Sequence, residues 1–392
     1  MKRKLMIVAS ILAIAGLTSC EKDLYDPNQT DDTKVTDLII SPDFNWNMSK
    51  DVTCNISSNF TAKLSIYQDE SCSANGLLAT IPVKAGSTVK LPLSVLRDSR
   101  QVYVQYTEGT KPVAVDVANG EINFEVPEMP VSRAQEDFEE LRGTIYYPNA
   151  LGGTIMFEDS YPRLGDYDFN DFAASYVAEV TTDETKKFID EIKFSMQIRA
   201  IGASKVYIPH LGLRSFSPSY VESIKVDEGE VHNLDVKQFK DTKEKVVFAF
   251  NGAENKGDKE FFNTVQGEAP ELTKKFAITI KFKKEVPIDF LYIDKFDIFL
   301  ATKDHTEEIH TYGYGPSLDD KLFSQYETID FYTIAGSNLI CGINIPEVIE
   351  HAYEKVDFLK AYPDFKEWVT NKTDNSNKWY LNGKSEFLFK MK

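Results

Sequence analysis

The stretch IKFSMQI, residues 192–198, sets Ile192, Phe194, Met196 and Ile198 on one side of an extended chain and Lys193, Ser195 and Gln197 on the other. Successive side chains of a strand point to opposite faces, so a period of two with one apolar set marks a sheet strand wetted on one side. Working outward, strand-like runs recur at 154–157, 172–180, 220–226, 246–250, 276–282 and 296–300. Toward the N-terminus they recur at 52–56, 62–66, 89–91, 102–106, 113–117 and 122–126. Asn75-Gly76, Ala85-Gly86, Glu108-Gly109 and Asn119-Gly120 supply turn signals between those runs. The chain reads as all-β, and its 26 Phe and 19 Tyr suit sheet faces. Helical spacing is confined to the end, where Phe358, Leu359, Tyr362, Phe365, Trp368 and Val369 recur at threes and fours. Pro363 cannot sit inside one continuous helix, so two short turns are expected, the second starting near Pro363, with the aromatic stripe docked as core.

Residues 36–128 carry six or seven short strands, the pattern of a small Ig-like or fibronectin-like β-sandwich. Residues 129–142 hold the charged run Ala134-Gln135-Glu136-Asp137-Phe138-Glu139-Glu140 and read as a linker. Residues 143–392 are expected to form a larger β-sandwich-type domain ending in the short helices.

The beginning of the chain is an address. Lys2, Arg3 and Lys4 precede an apolar run from Leu5 to Leu17, too short to span a bilayer as a helix, which needs about 20 apolar residues. Residues 1–19 read as a signal peptide. Leu17-Thr18-Ser19-Cys20 resembles the bacterial lipobox, which implies that Cys20 is acylated and becomes the first mature residue. Two or more acyl chains anchor stably where one would be marginal. Glu21, rather than Asp, follows Cys20, which favours the outer membrane, and the acidic start resembles the export signals of surface lipoproteins in Bacteroidetes-type bacteria. Residues 20–35, polar and poor in apolar side chains, read as the lipidated tether. The chain carries 44 basic and 61 acidic residues; loss of the leader leaves 41 against 61. So negative a field without a basic stripe excludes nucleic-acid binding.

The densest chemical signal is FEDSYPRLGDYDFNDF, residues 157–172. Glu158, Asp159, Asp166, Asp168 and Asp171 supply carboxylates, Asn170 an amide oxygen, and Gly165 a tight turn. Crowded carboxylates repel, and a hard cation such as calcium, which takes 6–8 oxygens, relieves them. Asp166, Asp168 and Asn170 imitate the first ligands of an EF-hand loop, but Asp171 stands where that loop needs Gly and Val177 where it needs Glu. An EF-hand is excluded. Two readings stay open: a loop-borne calcium site, or a metal-free network in which the short polar side chains accept backbone N–H bonds and cap turns.

This motif also resembles the signature of the LruC-type domain, a family of unknown function in outer-membrane lipoproteins of Bacteroidetes-type bacteria. Collinear pieces follow: Glu308-Ile309-His310 with Gly313 and Pro316; Leu322-Phe323; Ile343-Asn344-Ile345-Pro346-Glu347; Ala361-Tyr362-Pro363-Asp364-Phe365 with Trp368; and Asn377-Lys378-Trp379-Tyr380. The resemblance spans residues 143–385 and implies a β-rich envelope domain with no established catalytic activity. It departs at Cys341-Gly342, where an aromatic is expected.

Export places the chain in a disulfide-permissive compartment, so Cys54 and Cys72 are expected as a candidate disulfide within the first domain, with Cys341 alone and buried. His210, His232, His305, His310 and His351 are scattered without a zinc-binding helix motif and read as structural. There is no nucleophile elbow, P-loop or dinucleotide fingerprint. The expected function is noncatalytic: adhesion, assembly, or glycan or protein binding at the cell surface. The alternative is a carbohydrate-active hydrolase using paired carboxylates.

Overall fold

The expected alternation becomes strands at nearly every place it occurs. In a computed structural model, the described residues are 32–106, 111–127, 141–240, 242, 245–271, 274–283, 286–293, 296–318, 320–321, 332–371 and 376–391. The signal peptide, Cys20, most of the tether, residue 128 and residues 129–140 of the linker, Glu108-Gly109 and Leu322-Phe323 lie outside them. The first seven strands are β1 (Ser49–Ser58), β2 (Ala62–Tyr67), β3 (Leu77–Val83), β4 (Ser87–Leu96), β5 (Gln101–Gln105), β6 (Val113–Ala118) and β7 (Glu121–Glu125). Twelve follow: β8 (Thr144–Tyr147), β9 (Gly153–Phe157), β10 (Phe172–Thr182), β11 (Ile189–Ala200), β12 (Ile208–Arg214), β13 (Val221–Asp227), β14 (Asp235–Phe239), β15 (Lys245–Asn251), β16 (Lys274–Phe282), β17 (Phe296–Ala301), β18 (Glu308–Ile309) and β19 (Gly342–Ile345). Helices are short: α1 (Phe290–Ile293), α2 (Phe358–Ala361) and α3 (Asp364–Thr370). Among the described residues no helix is long and apolar enough to cross a membrane.

In the first seven strands, β1 pairs antiparallel with β4 and parallel with β7, while β6 pairs with both β7 and β5 and so joins the two layers. Cys54 and Ile56 of β1 and Leu64 and Ile66 of β2 are buried in the interior. The sheet continues past this sandwich. Ala79 and Thr80 of β3 pair with Ile145 and Thr144 of β8, which leads through β10, β11 and β16 to β13. A second sheet, β14-β15-β12-β17-β18, packs on it, with Phe250 of β15 between Phe194 of β11 (6.0 Å between ring centres) and Phe276 of β16 (4.9 Å). Residues 34–392 form one compact unit, and strands on both sides of the expected linker share one sheet and one core.

The C-terminal expectation holds in detail. Asp357 caps α2 by accepting the Leu359 N–H (2.9 Å), and Pro363 is the N-cap of α3. Phe358, Phe365 and Trp368 are buried around Trp379, and Trp46 from the N-terminal part meets Trp368 at 5.8 Å. The edge-to-face pairs among these, Phe358–Trp379, Phe365–Trp379 and Trp46–Trp368, contribute roughly 0.5–1.5 kcal/mol each beyond area burial.

The expected Cys54–Cys72 bridge is corrected, because both are free thiols. Cys54 faces the core from the middle of β1, between Leu91 of β4 and Ile122 of β7, and burial pushes its thiol up to about 12. Cys72 sits in the turn after β2 with φ 53°, its N–H given to the Asp69 carbonyl. A strand-centre side chain pointing inward and a turn residue do not meet. Cys341 is buried and free as expected.

Candidate functional site

The acidic motif is the loop between β9 and β10, strands that pair directly with Phe157 opposite Phe172, so residues 158–171 leave the sheet and return to it. The loop is held from below by its aromatics. Tyr161, Tyr167 and Phe169 are buried, and Phe169 packs on Phe358 of α2 at 5.0 Å. Tyr167 and Phe169 adopt φ of 54° and 53°, a left-handed conformation that costs a non-glycine residue energy and persists only where surroundings enforce it. The enforcing group is Glu158. Its fully buried carboxylate accepts the N–H groups of Tyr167 (3.0 Å) and Phe169 (2.6 Å). Gly165 is required beside it, since a Cβ there would stand 2.4 Å from Glu158 Oε2.

The polar members face one another. Asp168 accepts the N–H of Asn170 (3.1 Å) and, across the fold, of Lys355 (2.7 Å); Asp171 accepts the N–H of Asp159 (2.7 Å). One oxygen each from Glu158, Asp166 and Asp168 lie within 4.8 Å of one another, with Asp166 exposed and the other two buried. Asn170 is fully buried and gives its Nδ2 to the Ala352 carbonyl (3.3 Å), while its Oδ1 has no hydrogen-bond partner. All six residues named from the sequence are thus brought to one end of the β9–β10 pair.

The electrostatics are those of acids without a counter-charge. Burial, then Asp166, raises the Asp168 carboxyl to about 8; burial, then Asp159, raises Asp171 to about 8. Glu158 is raised well above the usual range by burial, Asp171 and Asp168, despite its two N–H donors. Among the described residues none of these carboxylates forms an ion pair with Lys, Arg or His. Both metal-free turn bonds and a cation-ready cluster are therefore present in one loop.

Sequence reasoning missed Glu354. It lies between β19 and α2, and burial and then Asp166 raise its carboxyl. A Cβ on Gly202 would stand 2.3 Å from Asn170 Oδ1 and 3.2 Å from Glu354 Oε2, so these two oxygens border one bay. The isolated Gly202 after β11 was the available signal.

A second feature is a cleft of about 350 Å³ between the start of β1 and the β8, β18–β19 region. Tyr147, Tyr312, Tyr314, Asn47 and Asn344 line it, and among the described residues Asp51 is the one carboxylate in its lining. Asn344 is held by the Tyr176 hydroxyl (2.7 Å) and gives its Nδ2 to the Tyr147 hydroxyl (3.4 Å).

A third cluster is wholly internal. His310 Nδ1 lies 2.9 Å from Asp297 of β17 and Nε2 lies 2.7 Å from Glu308 of β18, all fully buried. Burial alone would lower the imidazole; Asp297 and then Glu308 outweigh it and raise His310 to about 9. Glu308 also accepts the N–H groups of Ser317 and Leu318, each at 2.7 Å. The Ser317 hydroxyl is directed to Asp297 (3.3 Å), which leaves no serine–imidazole pair for nucleophilic chemistry.

Residues 188–380 match the model of DUF4842, a domain of unknown function; the match takes in His310 and Glu354 and begins beyond the acidic loop. No curated protein matches the chain. The crystal structure of a candidate lipoprotein from Bacteroides ovatus superimposes with a TM-score of 0.67 at 22% identity, covering 84% of this chain and 99% of that one. The major pilin subunit of Bacillus cereus (TM-score 0.18, 12% identity, 67% of each chain) and a Corynebacterium diphtheriae major pilin (0.17, 9%, 79% of this chain and 83% of that one) share no overall superposition with it. The fold of this chain is the fold of the Bacteroides ovatus protein.

Proposed function

We propose that the chain is a noncatalytic cell-envelope lipoprotein, anchored in the outer membrane through acyl chains on Cys20 and displayed at the surface, that binds a glycan in the tyrosine-lined cleft. The leader and lipobox carry the anchor, and the likeness in fold to a candidate Bacteroides ovatus lipoprotein supports it. The resemblance to LruC-type domains fits the same reading. The observation that carries the binding role is the lining of the cleft. Tyrosine rings offer flat faces for sugar rings, and the side chains of Asn47, Asn344 and Asp51 offer the hydrogen bonds that orient hydroxyls. A glycosidase needs two carboxylates flanking the scissile bond, and among the described residues this cleft is lined by one, Asp51.

The test is binding and turnover on neutral oligosaccharides of host and dietary type, measured together. Binding that disappears in Tyr312→Ala and in Tyr314→Ala, with no new reducing ends, is the expected result. Cleavage lost in Asp51→Asn would replace this reading with the hydrolase. For the anchor, labelling with a palmitate analogue is expected to mark the wild type and not Cys20→Ala.

A further inference from the structure

The acidic loop is joined to the chain ahead of the C-terminal helices by more than packing. Lys355 donates its N–H to Asp168, Asn170 donates to the Ala352 carbonyl, and Phe358 donates its N–H to the Tyr167 carbonyl (2.9 Å). These bonds bring Glu354 to the cluster's open side. Its carboxylate shares the Gly202 bay with Asn170 Oδ1, a fully buried oxygen that no donor meets. A buried amide oxygen left without a partner is costly unless something fills the place. The bay it borders is shared with another acceptor oxygen, Glu354 Oε2, a pairing that a cation between them would satisfy.

We infer that Asp166, Asp168, the Asn170 amide oxygen and Glu354 hold one divalent cation, and that it latches the acidic loop onto the segment leading into the aromatic C-terminal cap. All the donors are hard oxygens, drawn from two distant stretches of chain, in the mixture of carboxylate and amide that calcium accepts; magnesium demands a stricter octahedron and keeps more of its water. Asp166, exposed at the mouth, is the point of entry, and water completes the coordination there. Glu158, each of whose oxygens accepts one backbone N–H, positions the loop behind the cation. This site is independent of the glycan cleft.

The experiment is calorimetric titration of calcium chloride into the full chain in detergent after stripping with EGTA, with melting temperature followed in parallel. The wild type is expected to bind one calcium more tightly than magnesium. Glu354→Gln is expected to bind at least tenfold more weakly while melting in EGTA at the wild-type temperature or above it, because it removes a charge from an uncompensated cluster. Equal calcium affinity in Glu354→Gln would overturn the two-segment latch and leave a site belonging to the loop alone. No binding by the wild type at millimolar calcium would overturn both. If Glu354→Gln is recovered unfolded, Glu354→Asp, which keeps the charge and shortens the reach, gives the same comparison.

Discussion

Two groups of buried carboxylates in this molecule have been treated in opposite ways. Around His310, Asp297 and Glu308 meet an imidazolium at 2.9 and 2.7 Å, and every member is fully enclosed. In the loop at 158–171, Glu158, Asp168 and Asp171 are raised by burial and by neighbouring acids, and among the described residues no Lys, Arg or His forms an ion pair with them. Removing charges from water is costly, and an ion of opposite sign with good hydrogen bonds offsets that cost. The first group carries its own counter-ion and is finished as built. In the proposed reading the second is completed by an ion from outside, and its unpartnered amide oxygen is the independent observation behind that proposal.

The largest effect should come from breaking the finished group. His310→Gln leaves Asp297 and Glu308 buried without their cation, and a loss of about 3–5 kcal/mol is expected in urea unfolding, with or without calcium. Asp168→Asn in EGTA is expected to lose far less, and a loss of equal size would erase the distinction between the two groups.

Calcium is expected to act on the loop alone. At 100 times its dissociation constant a cation bound only by the folded chain adds about 2.7 kcal/mol, and Asp168→Asn should show none of it. The pH dependence separates the groups further. Asp168 and Asp171 titrate near 8 in the folded, metal-free chain against an ordinary 3.8, so the folded state binds more protons between those values. Metal-free stability therefore falls as pH rises from about 4 through about 8, and calcium flattens that fall. His310, at about 9 against an ordinary 6.5, gives stability that is full below 6.5 and lost as pH rises through 9, and calcium leaves that slope unchanged. Unfolding curves at matched pH with EGTA and with calcium read both.

Gly165→Ala drives a Cβ to 2.4 Å from Glu158 Oε2 and should cost about 1–3 kcal/mol by overpacking, together with the calcium response. The smallest effect belongs to an exposed pair. Lys193 and Glu179 meet at 3.2 Å between β11 and β10 with their side chains 49% and 34% exposed, and Lys193→Ala should change stability by less than about 1 kcal/mol. A larger change would mean that burial is not what separates these groups.

Legibility in the sequence followed the same physics. Strands with one wet face, such as β1 and β11, declared themselves through alternation. β3 and β12 did not, because β3 is sandwiched between β2 and β8 and β12 between β15 and β17, with side chains buried on both faces, which removes the period. The pairing of β3 with β8 joins residues far apart and leaves no local mark. The six loop residues were visible because their chemistry is contiguous. Glu354 was invisible because it reaches the loop through bonds from Lys355 and Asn170, and the His310 group was invisible because Asp297 lies thirteen positions from its partner.

The central claim is that an external cation sits where the loop and Glu354 face each other. A crystal structure grown in calcium, with anomalous difference density measured at long wavelength, addresses it directly. The account predicts one peak at about 2.3–2.6 Å from oxygens of Asp166, Asp168, Asn170 and Glu354. Flat density there, with Asn170 Oδ1 instead accepting a bond from a protein N–H, would contradict it.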